Sequence, residues 1–120
     1  MKLLIAVKSE IIADSLATAL SMYDIHICAT GPDTLAMLET LKPDILILDL
    51  SLPVIDGLTL LHRSHHKPKH ILALTNFVST AVLQVAADAG VQSLVLIPCT
   101  IRYIVEQLDA IIENAPSAES

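Results

Sequence analysis

The 120-residue chain is long enough for one domain with its own core and too short for two. Hydrophobic residues make up 53% of it and charged residues 17%, which excludes an intrinsically disordered segment. Seven Lys and Arg stand against thirteen Asp and Glu, a formal net charge of −6 that argues against direct binding to a phosphate backbone.

In chain order, the first apolar run, 2–7, opens on a single lysine and is cut off by Lys8, Ser9 and Glu10, too early for a signal peptide. It reads as a buried first strand. Ile11, Ile12, Leu16 and Leu20 follow at helical spacing. A second strand at 25–29 leads through Gly31-Pro32-Asp33 into a helix marked by Leu35, Leu38 and Leu41 and closed by Lys42-Pro43. The third strand, 44–48, runs into Asp49, and Asp56-Gly57 opens a third helix with Leu58, Leu61 and His62 on one side.

The fourth strand is predicted at 70–74. The fourth helix, 78–89, has Val78, Val82, Val85, Ala86 and Ala89 as its core stripe and Gly90 at the left-handed cap. A fifth strand at 93–97 precedes Pro98, and Thr100 caps a helix over 100–114 whose stripe includes Ile104, Leu108 and Ile111. Strand and helix thus alternate five times, which predicts an α/β fold, a doubly wound parallel sheet covered on both faces. No apolar run approaches the roughly 18–20 residues of a membrane-spanning helix. Residues 115–120 are small and polar and read as the start of a linker, leaving 1–114 as the domain.

Cys28 and Cys99 are far apart and in no metal-ligand spacing, so both are expected to be small buried hydrophobes in a cytoplasmic protein. His62, His65, His66 and His70 crowd one segment, but their spacing does not build a ligand set and Lys67 and Lys69 would repel a cation. A solvated basic loop is expected there, and no metal site.

In a doubly wound sheet the ligand crevice lies beyond the carboxyl ends of the strands. The residues there are Lys8-Ser9-Glu10, Asp49, Thr75-Asn76 and Ile97-Pro98. One acid, one hydroxyl and one amine converge.

The stretch Pro43-Asp44-Ile45-Leu46-Ile47-Leu48-Asp49-Leu50-Ser51-Leu52-Pro53-Val54-Ile55-Asp56-Gly57-Leu58 resembles the phosphoacceptor strand and following loop of the receiver domains of bacterial response regulators. An acid ends a buried strand, Leu-Pro follows in the loop, and Asp-Gly precedes a helix. Leu72-Ala73-Leu74-Thr75 and Ala86-Ala87-Asp88-Ala89-Gly90 extend the resemblance over nearly the whole chain. It implies a flavodoxin-like three-layer sandwich with strand order 2-1-3-4-5. It implies that Asp49 takes the position that accepts a phosphoryl group from a histidine kinase. Thr75 takes that of the hydroxyl that bonds the phosphoryl oxygen on activation. Ser51 takes that of the residue whose backbone carbonyl helps hold Mg²⁺. The implied partners are a histidine kinase or other regulatory protein and a second copy of the chain, through the face of the fourth helix, fifth strand and fifth helix. DNA is implied only through an output domain beyond residue 120, and no membrane. Leu83 and Tyr103 are expected to be exposed on the pairing face.

The departures from the family pattern are specific. Two adjacent acids normally end the first strand and complete the Mg²⁺ site, and Lys8 and Ser9 stand there instead. Ile97 replaces the lysine before the proline, and Leu94 replaces the aromatic switch residue. A hard cation needs several oxygen ligands, and phosphoryl transfer depends on cations that neutralise developing charge. Weak or absent Mg²⁺ binding is therefore expected, with no catalytic group, and regulation through protein contacts. The Lys8 ammonium is expected in the metal's place, paired with Asp49; the alternative leaves it in solvent. A competing reading keeps Asp49 as a working phosphoacceptor. A third, a flavodoxin-like cofactor binder, lacks a glycine between Val7 and Ile11 to cradle a phosphate.

Overall fold

The computed structural model describes residues 1–114, so the expected linker at 115–120 lies outside the described residues. Ten elements alternate: β1 Lys2–Ala6, α1 Glu10–Ala19, β2 Asp24–Cys28, α2 Gly31–Leu41, β3 Ile45–Asp49, α3 Gly57–Arg63, β4 His70–Thr75, α4 Thr80–Asp88, β5 Ser93–Leu96 and α5 Ile101–Glu113. The strands form one parallel sheet in the order β2-β1-β3-β4-β5. That is the doubly wound architecture expected from the alternation, with strand ends shifted by a residue or two.

The period of two along each strand divides the core. Leu3, Ile5, Ile45, Ile47, Leu72 and Leu74 pack with Leu16 of α1 and Ile104 and Leu108 of α5. Leu4, Ala6, Leu46, Leu48 and Ile71 pack on the other face with Leu38 of α2 and Leu60 and Leu61 of α3. Every residue of β3 and β4 is buried, which explains the unbroken apolar runs Ile45–Leu48 and Ile71–Leu74 within them.

Each helix starts with a side-chain cap. Ser9, Thr30, Asp56, Ser79 and Thr100 accept from the backbone N–H of Ile12, Asp33, Thr59, Val82 and Tyr103. These caps bring the five helix starts to the carboxyl edge of the sheet, where the chain leaves each strand. No helix among the described residues is long and apolar enough to cross a membrane.

Two expectations fail in part. The α4 stripe is core only in part: Ala86 is buried and Val82 and Ala89 are half-buried, Ala89 against the α2/α3 core, whereas Val78 and Val85 are exposed. The helix follows the last inner strand and leads to β5, a four-residue edge strand. Cys28 is buried as expected, but Cys99 is exposed, because it lies in the β5–α5 loop rather than on an element.

Candidate functional site

Asp49 closes β3 and is 2% exposed, so its carboxylate requires donors. It has three, all from the chain itself. Oδ1 accepts from the Ser51 backbone N–H at 2.9 Å and from the Ser51 hydroxyl at 2.6 Å, and Oδ2 accepts from the Lys8 backbone N–H at 3.3 Å. An acid whose side chain bonds the backbone two residues on is a local turn that Asp forms readily.

The loop that carries Ser51 is held from two sides. Leu50 N–H bonds Leu74 O at 2.9 Å, and Gly57 N–H bonds Leu50 O at 3.1 Å. A Cβ at Gly57 would lie 3.0 Å from Leu50 Cα and 3.1 Å from Asp49 O, so only glycine lets α3 start this close to the acid's backbone. Gly31, opening α2, donates to Pro53 O at 3.0 Å, and a Cβ there would meet Ile55 O at 2.3 Å. Between these anchors Val54 has φ 73° while Ile55 N–H bonds Pro53 O at 2.9 Å, a positive-φ γ-turn that is strained for a β-branched residue.

The other expected site residues are placed differently from one another. The Lys8 ammonium does not pair with Asp49: within 4.0 Å, the described residues form only the pairs His26–Asp24, His65–Glu39 and Arg102–Glu106. Lys8 is exposed, and its contact with the acid is through the main chain. Leaving an ammonium hydrated costs nothing, whereas burying it beside a carboxylate incurs desolvation of both. Ser9 is the α1 cap, with its hydroxyl on Ile12 N–H at 3.4 Å. Thr75 is buried, yet its hydroxyl donates to Phe77 O at 3.0 Å and accepts from Phe77 N–H at 3.2 Å, within its own loop. Ile97 is half-buried against the α1/α5 core, and Leu94 is half-buried on β5. Leu83 and Tyr103 are 48% and 46% exposed, as expected.

The family resemblance gives Ser51 only a backbone role, whereas its hydroxyl bonds Asp49. The signal was present, since a hydroxyl residue two places after an acid at a strand end is a turn pattern. Asp56, the α3 cap, accepts from Thr59 N–H and Thr59 Oγ1, each at 2.9 Å. The Thr59 backbone bond holds its carboxyl below the usual value against the opposing effect of burial.

The residues present do not fit Mg²⁺. Both oxygens of Asp49 already accept from the chain, and Lys8 and Ser9 occupy the end of β1 where further anionic ligands would have to stand. Among the described residues no three His, Cys, Asp or Glu gather in a way that could hold a metal. The histidine loop lies at the opposite edge of the sheet. His62 and His65 are exposed there, but His70 is buried, with Nδ1 lacking a partner, so this member of the expected solvated loop belongs to the core. It is buried because it is the first residue of β4, beside Ile45 of β3.

The family model for the response regulator receiver domain matches residues 4–109. Over 59 residues the chain is 34% identical to the protein-glutamate methylesterase/protein-glutamine glutaminase 3 of Rhodospirillum rubrum, a match covering 48% of this chain and only 16% of that protein's length. A CheY-like response regulator receiver domain protein of Methanospirillum hungatei superposes with a TM-score of 0.84 at 23% identity, covering 95% of this chain and 94% of the other. The chemotaxis protein CheY4 of Vibrio cholerae gives a TM-score of 0.80 at 23% identity, covering 92% and 97%. At these identities the structural likeness is one of fold.

Proposed function

The chain belongs to the response regulator receiver domain family of two-component signalling, and we propose that it is an atypical member that regulates through protein contacts, with little or no Mg²⁺-dependent phosphorylation of Asp49. The observation that carries this reading is that the three donors to Asp49 come from Ser51 and the Lys8 backbone and none is a cation. An incoming phosphoryl group would compete with those donors in a site with no second acid to recruit a metal and with Ile97 in place of a cation.

The contacts it works through are those of the α4, β5 and α5 face. Leu83, Val85, Leu96 and Tyr103, all apolar or aromatic, are exposed on these elements. A homodimer through this face is the expected state, in the cytoplasm and without enzymatic activity of its own. The upstream partner is a histidine kinase or another regulatory protein, and DNA is reached only through an output domain. The second reading, a working phosphoacceptor, is favoured by the retention of a buried acid at the end of β3 and a hydroxyl at the end of β4. A titration with Mg²⁺ and beryllofluoride, followed by amide shifts near Asp49 and Thr75, separates the two. No saturable shift supports the atypical reading, and a saturable, Mg²⁺-requiring one establishes the other.

A further inference from the structure

The amino edge of the sheet, opposite Asp49, concentrates the chain's positive charge. β1, β3 and β4 begin there and α2 and α3 end there. Lys2, Lys42, Arg63, Lys67 and Lys69, five of the seven Lys and Arg, lie at these starts, ends and the α3–β4 loop, with His62, His65, His66 and His70 among them. Hydrogen bonds tie the segments into one surface. His66 Nε2 lies 2.9 Å from Pro43 O, His70 N–H bonds Asp44 O at 3.0 Å, and Lys2 Nζ reaches Leu41 O at 3.5 Å.

Two of the cations are used locally. Lys2 and Lys67 donate to carbonyls of Leu41 and Leu61 in the last turns of α2 and α3, where a helix end favours positive charge. Lys42, Arg63 and Lys69 are different: all three are exposed, and among the described residues no carboxylate lies within 4.0 Å of them. The acids at this edge have partners within the fold. Glu39 accepts from His65 N–H at 2.8 Å and from the Ser64 hydroxyl at 3.3 Å, Asp44 accepts from Lys2 N–H at 2.9 Å, and Asp24, opposite Lys2 in the β1–β2 register, lies 3.3 Å from His26 Nε2. Among the described residues, Lys42, Arg63 and Lys69 have no such carboxylate partner, in a chain whose net charge is −6.

From this segregation we propose that the amino edge is a docking surface for an acidic segment of a partner protein, with Lys42, Arg63 and Lys69 engaging its carboxylates. A nucleic acid fits less well. The chain carries a net charge of −6, so the remaining surface would repel a polyanion at longer range. The surface is remote from Asp49, so the proposal does not depend on whether that acid is phosphorylated.

The test titrates the isotope-labelled full chain with a glutamate-rich synthetic peptide, using the glutamine version as the control and a short DNA duplex as competitor. Shifts confined to the amides of Lys42, Asp44, 62–67, Lys69 and His70, with an affinity that weakens several-fold as salt is raised, are expected. Arg63→Glu with Lys69→Glu is expected to lower affinity about tenfold or more, the loss of charge-assisted contacts worth about 1.4 kcal/mol together. Lys42→Glu, on a separate segment, should lower it several-fold, so that misfolding of one loop variant does not decide the matter. No shift at this edge, an equal response to the glutamine peptide, or tighter binding of the duplex at the same residues would overturn the proposal.

Discussion

The Ser51 hydroxyl lies 2.6 Å from Asp49 Oδ1, and the backbone N–H of the same residue donates to the same oxygen at 2.9 Å. One residue thereby supplies two of the three donors of a buried carboxylate. The third is the main chain of Lys8, not its charge. The acid is thus held by hydrogen bonds from neutral donors rather than by a cation.

Removing the hydroxyl therefore has a measurable cost. Ser51→Ala should destabilise the fold by about 1–2 kcal/mol, toward the low end for a bond to a charged acceptor because Ser51 itself is exposed. Ser51→Thr, which keeps the donor, should recover most of it. Urea midpoints at neutral pH would measure both, and equal midpoints for Ser51→Ala and the parent chain would show that the hydroxyl does not hold the acid.

Gly57 is tied to the same site by space alone. Gly57→Ala should cost about 1–3 kcal/mol, the range for overpacking, because two of the three nearest atoms are backbone and cannot rotate away. The amides of Lys8 and Ser51 should shift with it, a change that a helix-start defect far from Asp49 would not produce.

Val54 carries strain with little packing to hold it, being 85% exposed at φ 73°. Val54→Gly should be neutral or stabilising by up to about 1 kcal/mol, the relief of a left-handed β-branched residue less the added freedom of glycine in the unfolded chain. A clear loss of thermal stability would mean that the turn is not strained in solution.

His70 should make stability depend on pH above the range where carboxylates titrate. Burial first, and then Lys69, hold its imidazole below the ordinary 6.5, with Asp44 opposing them. The unfolded chain binds the proton more readily, so this stability is present above about pH 6.5 and is lost as pH falls through the lowered folded value. His70→Gln should flatten that part of a stability profile measured between neutral pH and about pH 5. A profile unchanged by the substitution would assign the dependence elsewhere.

The pairing face is open to the same kind of check. Leu83→Asp combined with Tyr103→Ala should shift a sedimentation-equilibrium profile from dimer to monomer without altering the fold. A monomeric parent chain would remove the dimer from the account.

The parts of this structure that could be read from sequence are those set by neighbours along the chain. Thr100 caps α5 and Asp56 caps α3 because a cap acts three residues away, and β3 is a buried strand because its own residues leave no polar face. Gly90, with φ 95°, ends α4 as a left-handed residue should. The parts that could not be read depend on distant chain. Val85 has helical periodicity yet is exposed, while its neighbour Ala86 is buried, a choice of face that the spacing alone does not make. Lys8 is correctly placed at the mouth of the site, yet the direction of a long, hydrated side chain is not encoded by its position. The resemblance points to the Ser51 carbonyl, and the preference of its hydroxyl for Asp49 emerges only once the loop is pinned between Gly31 and Gly57.

The most direct measurement is the intact mass of the full chain after incubation with acetyl phosphate, with and without Mg²⁺. The account expects no added phosphoryl group in either case. A stoichiometric adduct that requires Mg²⁺ and disappears in Asp49→Ala would contradict it.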